Sequence, residues 1–442
     1  MNDTNAKAGL GPSGQSDAHR VLIVGGGVAG LDLAGTLAGH KELDVALIDL
    51  ATAHVWKPML HSIAAGTHDV ARVGVPYLAQ ARQHGFLYHP GRATAVDLDA
   101  RCVTVDAFDR DGLTLLPERH LPYDTLVLAV GSEANDFGVP GVADHARHID
   151  TLHEAVAYRD ATAPRLVQAA QAGRPHRVAI VGGGATGVQF AAELLQIADT
   201  VDDFGIDGAR AAMQVTLLDK GDRLLVAFPP PVSAAARERL EQLGVTVRLN
   251  VDVARAEADA LILKNGEEIA ADFIVWAAGV RASPLAASLD ALERGPASRI
   301  VIDAHCRTSR PEVFALGDCA ALTPNGADTP LPPTAQVAFR QAVYLGRHLP
   351  AMIAGRSVPD FRYRDAGALV SLADYDAYGA LGDFGFFKGG IKNGFFRGRL
   401  AQAGHALLYR RHQARLHGAP RAAGLWLSDV VTARTRPIEK LE

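Results

Sequence analysis

The chain has 442 residues, more than one hydrophobic core usually serves, so two or three domains are expected. Its 44 basic and 49 acidic residues leave a net charge of −5, which offers no general basic surface to nucleic acid. The three cysteines, Cys102, Cys306 and Cys319, are odd in number and far apart, which fits a reducing compartment and argues against a disulfide framework or a cysteine-rich metal site.

Residues 1–19 are polar and lack an apolar stretch, so a disordered tail is expected rather than a signal peptide. No uncharged apolar run reaches ~18 residues, and no transmembrane helix is predicted. The apolar run Val21–Val24 then reads as a buried strand. It enters a turn with Gly25, Gly27 and Gly30, and a helix starts near Leu31. Glycine suits this turn because a Cβ disfavours its backbone angles and would keep a pyrophosphate away from the backbone. The helix N-terminus offers free N–H groups and a partial positive charge to that anion. A second apolar run ends in Asp49, 19 residues past Gly30, where a carboxylate can accept from a ribose diol.

The loop His54-Val-Trp56-Lys-Pro58-Met-Leu60-His61 reads either as a wall around a ring or as a packed loop with exposed histidines. Residues 91–99 and 102–106 alternate like a hairpin. Tyr123 to Gly131 is a buried strand ending where backbone can meet a cofactor, and residues 135–141 form a loop. Helix is expected over about 151–172.

The opening pattern then recurs. A strand over 176–181 meets Gly182, Gly184 and Gly187, a helix carries Gln189 and Glu193, and a strand from Val215 ends in Asp219. Two such units 157 residues apart imply two dinucleotide sites. Asp219 would accept from a ribose 2′-OH and repel a 2′-phosphate, favouring NAD over NADP, although Lys220 beside it works the other way. A helix over 233–243 is expected with Ser233 as its N-cap. Strands follow to Gly279. Residues 299–303 return the chain to the first domain, a strand closes on Asp318, and Thr334-Ala335-Gln336 opens a helix to about Leu349.

Between Phe384 and Ser428 lie eight Lys/Arg and no acid, interleaved with Phe386, Phe387, Phe395, Phe396, Leu400, Leu407, Leu408, Tyr409 and Leu425-Trp426-Leu427. Such a segment suits an anionic membrane face, or a helix packed on the body or on a second subunit.

The two glycine turns, the Trp276-to-Pro284 stretch, Leu316-Gly317-Asp318 and Thr334-Ala335-Gln336 together resemble the type II NADH dehydrogenases, over roughly residues 20–440. The resemblance implies an α/β fold with two Rossmann-like dinucleotide-binding domains, the NADH domain inserted into a discontinuous FAD domain. The implied division is a tail over 1–19, FAD-binding parts over 20–155 and 299–365, an NADH-binding domain over 156–298 and a membrane or dimer region over 366–442. It implies FAD and NADH as cofactors and no metal. The implied activity is non-pumping quinone reduction by a peripheral protein, often a homodimer, on the cytoplasmic face of the inner membrane.

Carried over by residue, Gly25, Gly27, Gly30 and Asp49 would hold the FAD diphosphate and ribose, Gly131 would lie under the cofactor, and Asp318 would bond its ribityl or diphosphate. Gly182, Gly184, Gly187 and Asp219 would hold NADH, with Gly279 lining that site. The helix from Ala335 would aim its N-terminus at the flavin pyrimidine edge, with Gln336 between that edge and the quinone. Two positions depart from the family pattern. Gln189 stands where a glutamate is usual, and an amide there would alter NADH affinity or proton handling. Arg340 stands where a glutamine is usual, and would bond a quinone carbonyl, block the acceptor's path or select a charged acceptor. A disulfide-reducing or sulfide:quinone relative would need a cysteine pair near the flavin, and none is present around residues 54–61. A soluble diaphorase, a ferredoxin reductase or a non-catalytic redox sensor are the other readings.

Overall fold

The structure, a computed structural model, describes residues 18–68, 70–381 and 395–435. The expected N-terminal tail lies outside them up to residue 17, and His19 already opens the first strand. Phe386, Phe387, Lys388 and Lys392 of the basic segment also lie outside the described residues.

Two five-stranded sheets carry the molecule. The first takes β1 (His19–Val24), β2 (Leu43–Asp49), β3 (Leu87–Pro90) and β4 (Thr125–Leu128), with α1 (Val28–Leu37) and α2 (Leu60–Ala65) between them. The second takes β5 (Ala146–Arg147), β6 (His176–Val181), β7 (Met213–Leu218), β8 (Thr246–Arg248) and β9 (Phe273–Trp276). Within it lie α3 (Leu152–Gln171) and α4 (Ala185–Asp203). The chain then re-enters the first sheet as β10 (Val313–Ala315) and continues into α5 (Ala335–Ile353). The orders are β10-β4-β1-β2-β3 and β5-β9-β6-β7-β8, with every pair parallel. Parallel strands are covered on both faces, which is why β1, β4 and β9 read as unbroken apolar runs instead of alternating. Val21, Ile23, Leu126, Val127 and Phe314 lie in one core, and Val178, Ile180, Leu217 and Val275 in another.

Local signals set the boundaries. Thr151 and Glu154 form a reciprocal capping box that starts α3 one residue after the expected position. The expected hairpin is present as Ala93–Asp97 against Cys102–Val105. The Ser233 cap is a correction. The helix starts at Pro230, and proline is favoured at a first helical position because its missing N–H is not needed there. Ser233 is buried inside the helix, donates to the Leu224 carbonyl, and accepts from Arg223 Nη1 at 2.7 Å.

After α5 comes a three-stranded antiparallel sheet of β11 (Gly367–Leu372), β12 (Asp376–Leu381) and β13 (Phe395–Arg397). It leads into α6 (Arg399–His417) and α7 (Ala419–Thr435). No helix among the described residues is long and apolar enough to cross a membrane.

Candidate dinucleotide and electron-transfer site

The two glycine turns are built on the same backbone plan. Gly25 N–H donates to Ile48 O and Gly182 N–H to Leu218 O, both at 2.8 Å. Gly25 has φ +102° and Gly182 φ +119°, values an L side chain rarely takes, and a Cβ on either would overlap a facing carbonyl, of Ala129 or Ala277. Gly30 and Gly187 let each helix press onto its own turn, since a Cβ would lie 1.8 Å from Gly25 O and 2.0 Å from Gly182 O. Gly27 and Gly184 differ from these. Both are exposed helix N-caps with nothing within 4 Å of a Cβ and no side-chain cap on the helix behind. Each therefore leaves an open cradle in front of uncapped first-turn N–H groups, which a diphosphate fits.

The terminal acids also match. Asp49 accepts from Gly26 N–H at 2.6 Å and Ala51 N–H at 2.7 Å. Asp219 accepts from Gly183 N–H and, at 2.6 Å, from Gly221 N–H. Each carboxylate thus holds its turn closed, and its remaining lone pairs are what a ribose would find. Burial raises the Asp49 pKa, and the two backbone donors act against that rise.

The copies diverge at the middle glycine. Gly183 O accepts from the backbone N–H of Leu225. Gly26 O instead accepts from Tyr77 O–H at 2.8 Å and His54 Nδ1 at 3.0 Å. A carbonyl only accepts, so His54 carries its proton on Nδ1, and its Nε2 is left to accept from His412 Nε2 at 3.0 Å. His412 lies on α6 and stacks on Trp56. Burial holds both imidazoles low, His54 at about 4 and His412 at about 3. His54 and His61 are buried, not exposed, so the exposed-loop reading of this segment is set aside.

Asp318 and the start of α5 meet at Gly317. Its N–H donates to Gln341 Oε1 at 2.8 Å, and a Cβ there would sit 3.2 Å from Ala338. Asp318 Oδ2 accepts from Ser132 Oγ at 2.8 Å. Gly131 has φ +67° and open space beside it. Thr334 caps α5 through Val337 N–H, and Ala335 is the first helical residue. Gln336 has both ends of its amide engaged, donating to Gly367 O at 3.1 Å and accepting from Ala366 N–H at 2.7 Å. It clips the helix to β11. Arg340, one turn on, is half-buried and within electrostatic reach of Tyr363.

A pocket at the second turn is lined by Gly187, Phe190, Trp276, Gly279 and Asp150. Lys57 bridges it to the first domain, 3.4 Å from Asp150 and donating to Ser132 O at 3.3 Å. Gln189 is buried on α4.

One turn beyond it is a group the sequence reading passed over. Glu193 is buried between α4 and α2, accepting from Ser62 Oγ at 2.8 Å and Thr67 Oγ1 at 2.5 Å, with His61 Nε2 at 3.9 Å. The only signal in the sequence was an acid spaced i, i+4 from Gln189 within the apolar first half of the helix. Desolvation raises its pKa to about 7, against the two hydroxyl donors. Its folded pKa exceeds the unfolded value, so the folded state holds the extra proton between about 4.5 and about 7. The associated stability is full below that window and lost as pH rises through it, about 3 kcal/mol for this shift. Glu193→Gln is expected to remove that slope. An amide keeps one acceptor for Ser62, and Thr67 can turn to the Ser62 carbonyl, 3.1 Å away. Parallel urea melts from pH 4.5 to 8 check this; identical slopes in both proteins would contradict it.

The pyridine nucleotide-disulphide oxidoreductase family matches residues 19–342. A type II NADH:quinone oxidoreductase of Haemophilus influenzae is 35% identical over 95% of this chain and 99% of its own. NDH2 of Plasmodium falciparum, solved in complex with NADH, superposes with a TM-score of 0.81 at 17% identity, over 96% of this chain and 99% of that one. The sulfide:quinone oxidoreductase of Aquifex aeolicus gives a TM-score of 0.71 at 18% identity, over 95% and 96% of the two chains. On the extent of the first two of these matches, set beside the paired turns, the chain belongs to the type II NADH:quinone oxidoreductases, among the pyridine nucleotide-disulphide oxidoreductases.

Proposed function

We propose that the protein oxidises NADH through FAD and reduces a quinone at a membrane surface. The observation that carries this is the doubled turn: two open cradles, built to the same hydrogen-bond plan, on one chain. Bound FAD supplies the chemistry, accepting a hydride from the nicotinamide and passing on two electrons. Gly25, Gly27, Gly30 and Asp49 hold its diphosphate side, with Gly131, Asp318 and Ala335 nearby. Gly182, Gly184, Gly187, Asp219 and Gly279 hold NADH. Residues 20–155 and 299–365 form the FAD unit and 156–298 the NADH unit. Gln336 fixes the helix that begins at Ala335, and Arg340 supplies a cation for a quinone carbonyl. Gln189 leaves the nicotinamide side uncharged, while Lys57 and Asp150 place a charged pair beside that pocket.

Direct reduction of the acceptor is supported by the cysteines. Cys306 and Cys319 are fully buried, burial pushing the Cys319 thiol up to about 11, and neither is part of the 54–67 segment. The deciding experiment follows NADH oxidation by FAD-loaded protein with menadione, ubiquinone or a ferredoxin. Quinone-dependent turnover is expected; turnover with ferredoxin alone would replace the reading.

The membrane part rests on α6 and α7. Leu407 (69% exposed), Trp426 (54%) and Leu427 (60%) stand out with Leu408 and Leu425, and Arg411 is exposed beside them. We assign this face to the anionic inner surface of the cytoplasmic membrane, with a homodimer as the arrangement that doubles it. Changing Leu425, Trp426 and Leu427 together to serine is expected to weaken binding to anionic vesicles more than tenfold, at about 1–2 kcal/mol per apolar side chain. Unchanged vesicle binding with loss of dimer would assign the face to a second copy instead.

A further inference from the structure

A second opening lies far from the redox site. It is a groove of about 700 Å³ at the N-terminal ends of β6 and β9, the opposite ends from the glycine turn. Six strand residues at about 3.3 Å each separate the two. Four arginines line it: Arg147, Arg165, Arg174 and Arg177. Arg165 is held in place, donating to Ala161 O at 2.9 Å with its guanidinium 5.2 Å from the Phe273 ring centre. The guanidinium groups of Arg147, Arg174 and Arg177 have no acceptor among the described residues. What sets this groove apart is the gathering of guanidinium forks around one opening, three of them free to meet a ligand, whereas Arg248 in the same domain is taken by Glu267.

We propose that this groove binds a nucleotide-sized phosphate ester, at a site separate from the NADH cradle. Guanidinium forks match phosphate oxygens two at a time, and the outer face of a planar guanidinium such as Arg165 accepts a stacked base. The volume falls in the ordinary range for small-molecule pockets. The groove also carries aspartates. Asp272 is already taken by the backbone N–H of Arg177 at 2.7 Å, while Asp144 and Asp259 add acceptors. Carboxylates repel a bare phosphate but accept from ribose hydroxyls. The mixed lining therefore selects a ligand with an anionic end and a hydroxylated end over inorganic phosphate.

The probe is ADP, titrated calorimetrically into the FAD-loaded full chain. Two sites per chain are expected, one at the glycine turn and one in the groove. R147A/R174A is expected to retain one site and to lose the other by at least tenfold, with NADH oxidation unchanged. Both side chains are exposed, so this variant removes charge without opening the core. Inorganic phosphate and adenosine are each expected to compete at the groove at least tenfold more weakly than ADP. A single ADP site in the wild type, or two sites surviving in R147A/R174A, overturns the proposal. Phosphate competing as well as ADP overturns its nucleotide part. Because the readout is stoichiometry, it stands whether or not quinone proves to be the acceptor.

Discussion

Gly30→Ala is expected to yield protein without flavin and with severely reduced stability, whereas Gly27→Ala is expected to fold normally and lose only flavin affinity. The two positions belong to one motif and are three residues apart, yet their surroundings differ. At Gly30 a Cβ would sit 1.8 Å from the Gly25 carbonyl oxygen and 3.3 Å from the Ala129 methyl. That oxygen cannot retreat easily. Gly25 N–H is bound to Ile48 O, Gly26 N–H to Asp49, and α1 begins with Leu31 N–H on Gly27 O. Overpacking in a rigid core costs about 1–3 kcal/mol, and a contact with backbone belongs at or above the top of that range. At Gly27 the φ is −60° and no atom lies within 4 Å of the added methyl, so the folded chain accepts it. The methyl then occupies the space an approaching diphosphate needs. Losing one or two charge-assisted hydrogen bonds, at about 1.5–3 kcal/mol each, weakens FAD binding at least tenfold. Bound flavin absorbance per chain and thermal melts separate the two outcomes. A yellow, fully stable Gly30→Ala protein would refute the steric argument.

That contrast also marks what the sequence could reveal. The strand–turn–helix order, the acids at positions 49 and 219 and the 157-residue repeat are local patterns, and each appears in the structure where the sequence put it. Sequence could not separate Gly27 from Gly30, because the difference lies in how closely the folded helix presses position 30 onto the Gly25 carbonyl, with Ala129 beside it, while position 27 is left open. It could not show that Asp49 and Asp219 close their own turns, since a terminal acid looks the same whether it meets a ribose or a backbone N–H. Ser233 misled for a related reason. Serine before an apolar run resembles a cap, but Pro230 had already started the helix, and the hydroxyl was needed by Leu224 and Arg223. The basic segment carries no local mark that divides its cations. In the folded chain Arg415 reaches in to Asp32 on α1, whereas Arg411, one turn earlier, is exposed. Contacts across more than 300 residues, such as His54 with His412, leave no local trace.

Arg415→Ala is expected to destabilise the protein by about 2–3 kcal/mol and to loosen flavin together with α6. Arg415 makes a two-pronged contact with Asp32, Nε to Oδ1 at 2.7 Å and Nη2 to Oδ2 at 2.8 Å. Asp32 lies two residues past Gly30 on the flavin-turn helix, with its side chain only 7% exposed, while Arg415 is 36% exposed. Breaking a fully buried pair costs about 3–5 kcal/mol and an exposed one at most about 1, so this half-open pair falls between. The guanidinium also sits 4.8 Å from the Phe339 ring centre, joining α6 to α5 as well as α1. Once α6 lifts, His412 leaves His54, and Gly26 O loses the tautomer lock that points His54 Nδ1 at it. Faster proteolysis near Gly398 and a raised FAD dissociation constant are the expected signs. Lysine at 415 should restore only part of the stability, because a single ammonium cannot span both carboxylate oxygens as a fork does. Asp32→Leu combined with Arg415→Ala should recover most of it, since the main cost of the single change is a carboxylate left unpaired in a buried place. If the double variant is no more stable than Arg415→Ala, the loss comes from packing over Phe339 and not from the stranded charge.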